Sequence, residues 1–378
     1  MKRAAALLLV AGLGMGASQG GAKAETLRVA LGRVSAETVR AHVEFLADDL
    51  LEGREAGTRG YDVAARYVAS ELAQAGVAPA GDGGTFFQEV PLLESRLVSG
   101  SVSWKDAAGA ATTLAAGEDF VMAGDSQRAE SRVEAAVVFA GHGVTAPRQG
   151  HDDYAGLEVK GRIVALLPNA PAGFPSEERA YHASSSRKAE NAAAHGAVGI
   201  LFLRTPEDDA RTPWARVRSY AEGPAMRWTH PDGRPEGVWP TLRGGALLSL
   251  QATRRLLAGA PVPADDVFAR AAKERVGGFA LGVTATLASR TEHTRTRSRN
   301  VVGRLEGSDP ALRRSHLVYS AHLDHVGVAK APDPSGAPEP AAPGEADRIH
   351  NGAFDNALGS AVVLEIARVL AGLEPRPR

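Results

Sequence analysis

The stretch from Leu317 to Leu370 constrains the fold more than any other. It reads HLVYSAHLDHVG from His316, passes through a Pro-rich insertion, and resumes as NGAFDNALGSAVVLEIARVL. Leu317, Val318 and Tyr319 are apolar and partly β-branched, which predicts a buried strand. His322 and Asp324 follow where that strand ends, and in an extended backbone their i, i+2 spacing puts both on one face. An imidazole that binds a metal through one nitrogen needs a partner on the other, and a nearby carboxylate can serve. The second segment delivers Asp355 ahead of a helix, in which Val362, Val363, Ile366, Ala367 and Leu370 recur at helical spacing. Gly372 and Pro375 supply its stop. Taken singly, Asp355 and Asn356 read as helix caps, and His322 as a hydrogen-bonded histidine at a strand end. Together, a strand-end His-x-Asp and an Asp at a helix start are the parts of a metal site at the carboxyl edge of an α/β sheet.

The motifs A-H-L-D-H-V-G and N-G-A-F-D-N-A-L-G resemble those of the bacterial di-zinc aminopeptidases, relatives of leucyl aminopeptidase and glutamate carboxypeptidase. The resemblance implies that His322 binds one zinc, that Asp324 orients the site from behind it, and that Asp355 bridges two zincs. Phe354 stands where the family usually has the first Asp of an Asp-Asp pair, and Leu358 where it usually has Ser. His325, His350 and Asn356 lie close in sequence and are candidates for supporting polar contacts. The implied fold is an α/β/α zinc-peptidase domain, of phosphorylase/hydrolase-like type, interrupted by a β-rich protease-associated insertion. The family's Glu-Glu strand, which supplies a general base and a ligand, and its later Asp and His have no counterpart in the 378 residues. Glu177-Glu178 lies in the wrong context. The expectation is therefore an incomplete catalytic domain that binds zinc weakly and leaves the Val362, Ile366, Leu370 face exposed.

At the start of the chain, Lys2 and Arg3 precede the apolar run Ala4 to Gly14, and Ala22-Lys23-Ala24 suits a cleavage site before Glu25. This predicts a signal peptide over residues 1–24 and a periplasmic or secreted protein. The run is too short to span a membrane. With no Cys there is no thiolate metal site, disulfide or lipid attachment point. A formal charge of −1 argues against a nucleic-acid partner or a polybasic membrane anchor. Oligomeric state is not legible.

Residues 25–100 read as the first part of the peptidase domain. Ser35 caps a helix with Val39, Val43, Leu46 and Leu50 on one face. A second helix, Tyr61 to Ala75, turns Ala64, Tyr67, Val68 and Leu72 inward, and Gly76 ends it. Between them Glu52, Arg54 and Glu55 read as a solvated loop with a structural arginine. F-L-A-D-D-L-L-E-G-R-E-A-G-T resembles the opening of secreted members of the same family.

Residues 101–287 read as the insertion, with strands at Val137–Gly141 and Arg162–Leu167, a helix at Lys188–His195, and an apolar run from Val198 to Leu203. Its G-H-G-V-T-A-P and D-D-Y-A-G-L-E-V-K-G-R-I-V segments resemble a protease-associated domain. No period is evident from Arg211 to Arg243. Ser185 and Lys188 form an S-x-x-K, but the S-D-N and K-T-G elements of penicillin-recognising enzymes are absent, so a polar helix start is the reading. The peptidase domain resumes over 288–378. Arg295, Arg297 and Arg299 read as one exposed face of a strand. His42, His142, His151, His182, His195, His230, His293 and His316 are scattered without ligand spacing, and Ala331 to Asp347 is a Pro-rich loop. The reaction implied is removal of N-terminal residues from peptides; the alternative is a noncatalytic peptide-binding module with a vestigial metal site.

Overall fold

A computed structural model describes residues 28–221, 223–271, 273, 276–329, 347–374 and 376. The expected signal peptide, Pro375 and nearly all of the Pro-rich loop lie outside the described residues. In chain order the elements open with α1 (Ala36–Leu46) and α2 (Arg59–Gln74). Eight strands follow: β1 (Ala78–Pro79), β2 (Phe87–Lys105), β3 (Ala111–Thr113), β4 (Phe120–Val121), β5 (Glu130–Phe139), β6 (Thr145–Ala146), β7 (His151–Asp152) and β8 (Ile163–Leu166). Then come α3 (Ser176–Ala183), α4 (Ser185–Ala194), β9 (Gly199–Phe202), α5 (Pro206–Arg211) and α6 (Trp214–Ala221). The rest are β10 (Ala225–Trp228), β11 (Gly245–Leu248), α7 (Leu250–Leu257), α8 (Ala264–Ala271), β12 (Phe279–Val301), β13 (Gly303–Arg304) and α9 (Leu358–Ala371). The fold is mixed α/β and divides into two compact units. Unit 1 takes the chain up to Pro91 and most of it from Thr296 onward, and unit 2 takes Leu92–Arg295.

In unit 1, Ser35 caps α1 as expected, its Oγ accepting from the Thr38 N–H at 3.0 Å. Leu46 is buried, but Leu50 is 88% exposed, against expectation. The α-helical register ends at Leu46. Asp48 then accepts from the Leu50 N–H and starts a 3-10 turn, which rotates Leu50 outward and sends Leu51 into the core. Thr58 caps α2, which buries Tyr61, Ala64, Ala65, Ala69 and Leu72 before Gly76. The segment between these helices is not a solvated loop, because Leu51, Gly53 and Arg54 are buried.

α9 packs on α1 and α2. It buries Ala361, Leu364, Ile366 and Val369, with Val362 and Leu370 half-buried, so the exposed apolar face expected here is mostly covered. Glu365 is buried too. Its carboxylate accepts from the Ser35 N–H at 2.7 Å and pairs with Arg368 at 2.7 Å. Leu317–Tyr319 is not the buried strand expected: Leu317 is 64% and Val318 77% exposed. A strand needs a neighbour for its backbone hydrogen bonds, and among the described residues no strand pairs with this segment. Arg299 also departs from the expected exposed face, since it pairs with Asp62 at 3.3 Å and lies over the Phe87 ring.

Unit 2 is built on a sheet ordered β10-β2-β12-β5-β8-β9-β11-β4, with β3 beside β2. Its centre, β5-β8-β9-β11, is parallel, in the register Val137↔Ile163, Ile163↔Gly199 and Gly245↔Ile200. The strands expected at 137–141 and 162–167 are among these, and the apolar run 198–203 contains β9. All four residues of β8 are buried, as in a strand covered on both faces. Val137, Phe139, Ile163 and Ala165 point to one side, against Leu256 and Phe268 of α7 and α8. Val138, Val164, Leu166 and Ile200 point to the other, against Ala192 of α4. The span from Arg211 to Arg243, without a sequence period, contains α6 and β10.

Candidate metal centre

His322 and Asp355 come together in unit 1. The Nε2 of His322 lies 3.1 Å from Asp355 Oδ1, and its Nδ1 lies 3.1 Å from the backbone carbonyl of Asp324. The Asp324 carboxylate stands further off, at 3.8 Å from Nδ1. The tautomer is therefore held by a backbone carbonyl more closely than by the carboxylate that the spacing suggested. With Nδ1–H donated to that carbonyl, a neutral imidazole turns its Nε2 lone pair toward a carboxylate. Two acceptors then face each other, an arrangement that a proton or a cation resolves.

The pair fits one edge of a zinc site. Zinc bound at about 2.0–2.1 Å to a nitrogen and an oxygen in tetrahedral geometry spans them by roughly 3.3 Å, close to the distance here. A full structural or catalytic zinc site takes about three protein ligands or more, and among the described residues no group of three or more His, Asp or Glu side chains gathers to hold a metal. His322 and Asp355 are both more than half exposed, so the pair opens to solvent.

Local backbone explains the placement of Asp355. It is not a helix cap. It sits inside a π-helical turn, Ala353–Ala357, at φ −123°, ψ 84°, and the cap role falls to Asn356, whose Oδ1 accepts from the Gly359 N–H at 3.1 Å. Gly352 enters this turn at φ +61°. A Cβ there would meet the Asp355 carbonyl oxygen at 2.6 Å, so only glycine lets the chain fold this tightly. On the other segment, Leu323 is buried in the unit 1 core, and the Ser360 hydroxyl donates to the His322 carbonyl at 3.2 Å.

The neighbours differ in their relation to the pair. His325 is within electrostatic reach of Asp355, yet burial is the larger influence and lowers its pKa, with Arg54, His350 and His322 pushing the same way. The His325 and His350 rings meet edge to face at 6.3 Å. Burial, reinforced by the negative charge of Asp324, pushes the Tyr61 hydroxyl up to about 12, so it stays protonated and donates to the Arg299 carbonyl at 2.6 Å. A cleft of about 690 Å³ lined by Val43, Glu44, Ala47, Asp48, Asp49, Leu50 and Ala353 opens two residues from Asp355.

Sequence reasoning undervalued Arg54. Its guanidinium is wholly buried and donates to four carbonyls: Leu323 at 3.0 Å, Asn351 at 2.6 Å, Gly352 at 3.1 Å, and Leu46. The three consecutive positive φ values at Glu52, Gly53 and Arg54 turn this side chain inward. Only the glycine between two charged residues hinted at such a conformation.

Unit 2 holds a second polar group, around Asp153 and Lys188. His151 Nε2 bonds Asp153 Oδ1 at 2.9 Å, Asp153 Oδ2 accepts from the Val144 N–H at 3.0 Å, and the Lys188 ammonium donates to the carbonyls of His142 and Asn169. Lys188, expected at a polar helix start, is 1% exposed.

No curated protein sequence matches this chain. Among solved structures it is similar to an aminopeptidase from Aneurinibacillus sp. strain AM-1, at 17% identity and a TM-score of 0.40, over 90% of this chain and 60% of that one. It is also similar to BSAP, a zinc aminopeptidase from Bacillus subtilis, at 16% identity and a TM-score of 0.33, over 90% and 58% of the two chains. The chain thus spans about three fifths of the length of these solved relatives. Residues 300–378, the segment that carries His322, Asp324 and Asp355, match Peptidase family M28.

Proposed function

We propose that the chain is a zinc-dependent peptidase of the aminopeptidase type, which removes N-terminal residues from peptides. The observation that carries this reading is the His322 Nε2 facing the Asp355 carboxylate at 3.1 Å, inside the segment matched to a peptidase family. His322 and Asp355 would hold metal, with Asp355 able to serve two ions through its two oxygens. The Asp324 carbonyl fixes the imidazole tautomer, and the Asp324 carboxylate behind it favours the electron-rich ring that a ligand needs. When bound, zinc polarises the scissile carbonyl and lowers the pKa of water from 15.7 to about 7.

Among the described residues these two side chains are fewer than the three or so protein ligands that a zinc ion takes, so we expect the pair by itself to hold zinc weakly. Unit 2 is read as a protease-associated insertion that shapes access of peptides. The protein is read as exported to the periplasm or beyond, its mature form beginning near Glu25. N-terminal sequencing that finds Met1 intact on cytoplasmic material would defeat that part.

Hydrolysis of leucyl anilide and zinc content, measured together, test the reading. Turnover, even if slow, that chelator abolishes and His322→Ala removes supports a peptidase. Peptide binding unaffected by chelator or by His322→Ala, with no turnover on adding zinc, would favour the noncatalytic binding module.

A further inference from the structure

Arg54 is chemically unusual for a buried arginine. Among the described residues its donors form no hydrogen bond to a carboxylate, although the charge of Asp324 acts on it; all four hydrogen bonds go to backbone carbonyls. A guanidinium is planar, with five N–H donors in a rigid fork, so the carbonyls it binds are fixed relative to one another and not merely neutralised. The choice of carbonyls is informative. Leu323 lies between His322 and Asp324, and Asn351 and Gly352 lead directly into the turn that carries Asp355. Leu46 is the last residue of α1, whose terminal carbonyls have no partner within the helix. One side chain thereby joins both segments of the candidate metal pair to a helix end.

The backbone repeats the arrangement. The Arg54 carbonyl accepts from the His325 N–H at 3.2 Å, and the Gly53 carbonyl accepts from the Gly327 N–H at 3.2 Å. A Cβ at Gly53 would lie 2.5 Å from the Gly327 carbonyl oxygen and 2.7 Å from that of His350, so the turn is pressed against the same two segments. Glu52 and Arg54 both adopt left-handed conformations that L-residues with side chains rarely take. Strain of this kind persists where surrounding structure over-determines it.

We infer that Arg54 is a positioning residue for the metal pair: its guanidinium sets the separation of His322 from Asp355 by clamping the carbonyls of Leu323, Asn351 and Gly352. The inference rests on the reading of His322 and Asp355 as metal ligands and adds the element that holds them in place. A lysine at position 54 would keep the charge and the long stem. It cannot present two parallel N–H donors to two segments at once, so the separation would relax.

The test uses the full 378-residue chain with labelled histidine rings. Two quantities are read by NMR: the nuclear Overhauser contact between the His322 ring and the Asp355 methylene in the metal-free protein, and zinc affinity from the His322 ring shifts. Arg54→Lys is compared with Leu72→Ala, a core truncation in the apolar cluster of Val77 and Leu364, whose side chain makes no hydrogen bond to either segment, chosen to be similarly destabilising. Arg54→Lys is expected to lose the contact and to weaken zinc at least ~10-fold, the range seen when residues supporting a metal ligand are changed. Leu72→Ala is expected to retain both. In Arg54→Ala, millimolar methylguanidinium should restore the contact by filling the vacated cavity, whereas urea should not. Equal loss in Arg54→Lys and Leu72→Ala would overturn the inference, because Arg54 would then act through stability alone. Retention of the contact in Arg54→Lys would overturn it too. A wild-type chain that shows the contact but binds no zinc would sink the metal reading, and the contact in the variants would still decide the role of Arg54.

Discussion

Lys188 makes the stability of unit 2 depend on pH in a direction opposite to that of an ordinary surface lysine pair. Burial drags its amine from an ordinary 10.5 down to about 7, with the negative charge of Asp153 resisting. The unfolded chain keeps a proton on this amine up to about pH 10.5, while the folded unit releases it near 7. Between those values unfolding takes up a proton, so stability rises with pH by up to about 1.4 kcal/mol per pH unit. The penalty is fully present below pH 7 and gone above 10.5; integrated across the interval it amounts to roughly 5 kcal/mol, of which about 2–3 kcal/mol appears between pH 7 and pH 9. Replacement by Met keeps the stem and removes the titration. It strands the carbonyls of His142 and Asn169, which lowers stability by about 1–3 kcal/mol for each at all pH values. The slope, not the level, is therefore diagnostic. All four tryptophans (Trp104, Trp214, Trp228 and Trp239) lie in unit 2, so urea unfolding followed by their fluorescence reports this unit alone. His142, His182 and Asp153 interact electrostatically with the amine, and burial lowers the pKa of both histidines, so measurement above pH 7.5 separates Lys188 from those histidines. Wild type should gain stability from pH 7.5 to 9.5 and Lys188→Met should not. Parallel lines for the two proteins would refute the reasoning.

Gly53→Ala should destabilise unit 1 by about 3 kcal/mol or more, because a Cβ meets two carbonyl oxygens and the residue sits at φ +66°; hydrogen exchange of α2 amides would register it. Glu365→Ala should cost about 2–4 kcal/mol by leaving the Ser35 N–H without its acceptor and the Arg368 guanidinium with only the Arg33 carbonyl, and faster amide exchange in α9 would show this. Asp355→Asn should weaken zinc by at least ~10-fold by removing a charged ligand. It should change unfolding free energy by under about 0.5 kcal/mol, since the side chain is 70% exposed; calorimetry with zinc and urea unfolding measure the two separately.

Much of the framework was legible because its causes are local. Ser35 and Thr58 cap their helices through bonds three residues long, and the apolar runs at 137–141, 162–167 and 198–203 became the parallel centre of a sheet. The pairing of His322 with Asp355 was also legible, because each stands in a short motif whose chemistry makes sense only beside the other. Local signals misled where a register changed or a neighbour was lacking. Leu50 continued an apolar period that the chain itself interrupts at Asp48. Leu317 and Val318 had the composition of a strand, and composition cannot provide a hydrogen-bonding partner.

The sequence by itself determined the helical and strand periods, the caps, and the pair of residue types that can meet a metal. Only the tertiary structure decided that Asn356 and not Asp355 caps the last helix, that Lys188 is buried, and that Arg54 is a clamp. The physical reason is range. A period or a cap depends on atoms a turn away, whereas the carbonyls of Leu323 and Gly352 that receive the Arg54 guanidinium lie 269 and 298 positions along the chain. No pattern local to Arg54 encodes where those carbonyls arrive.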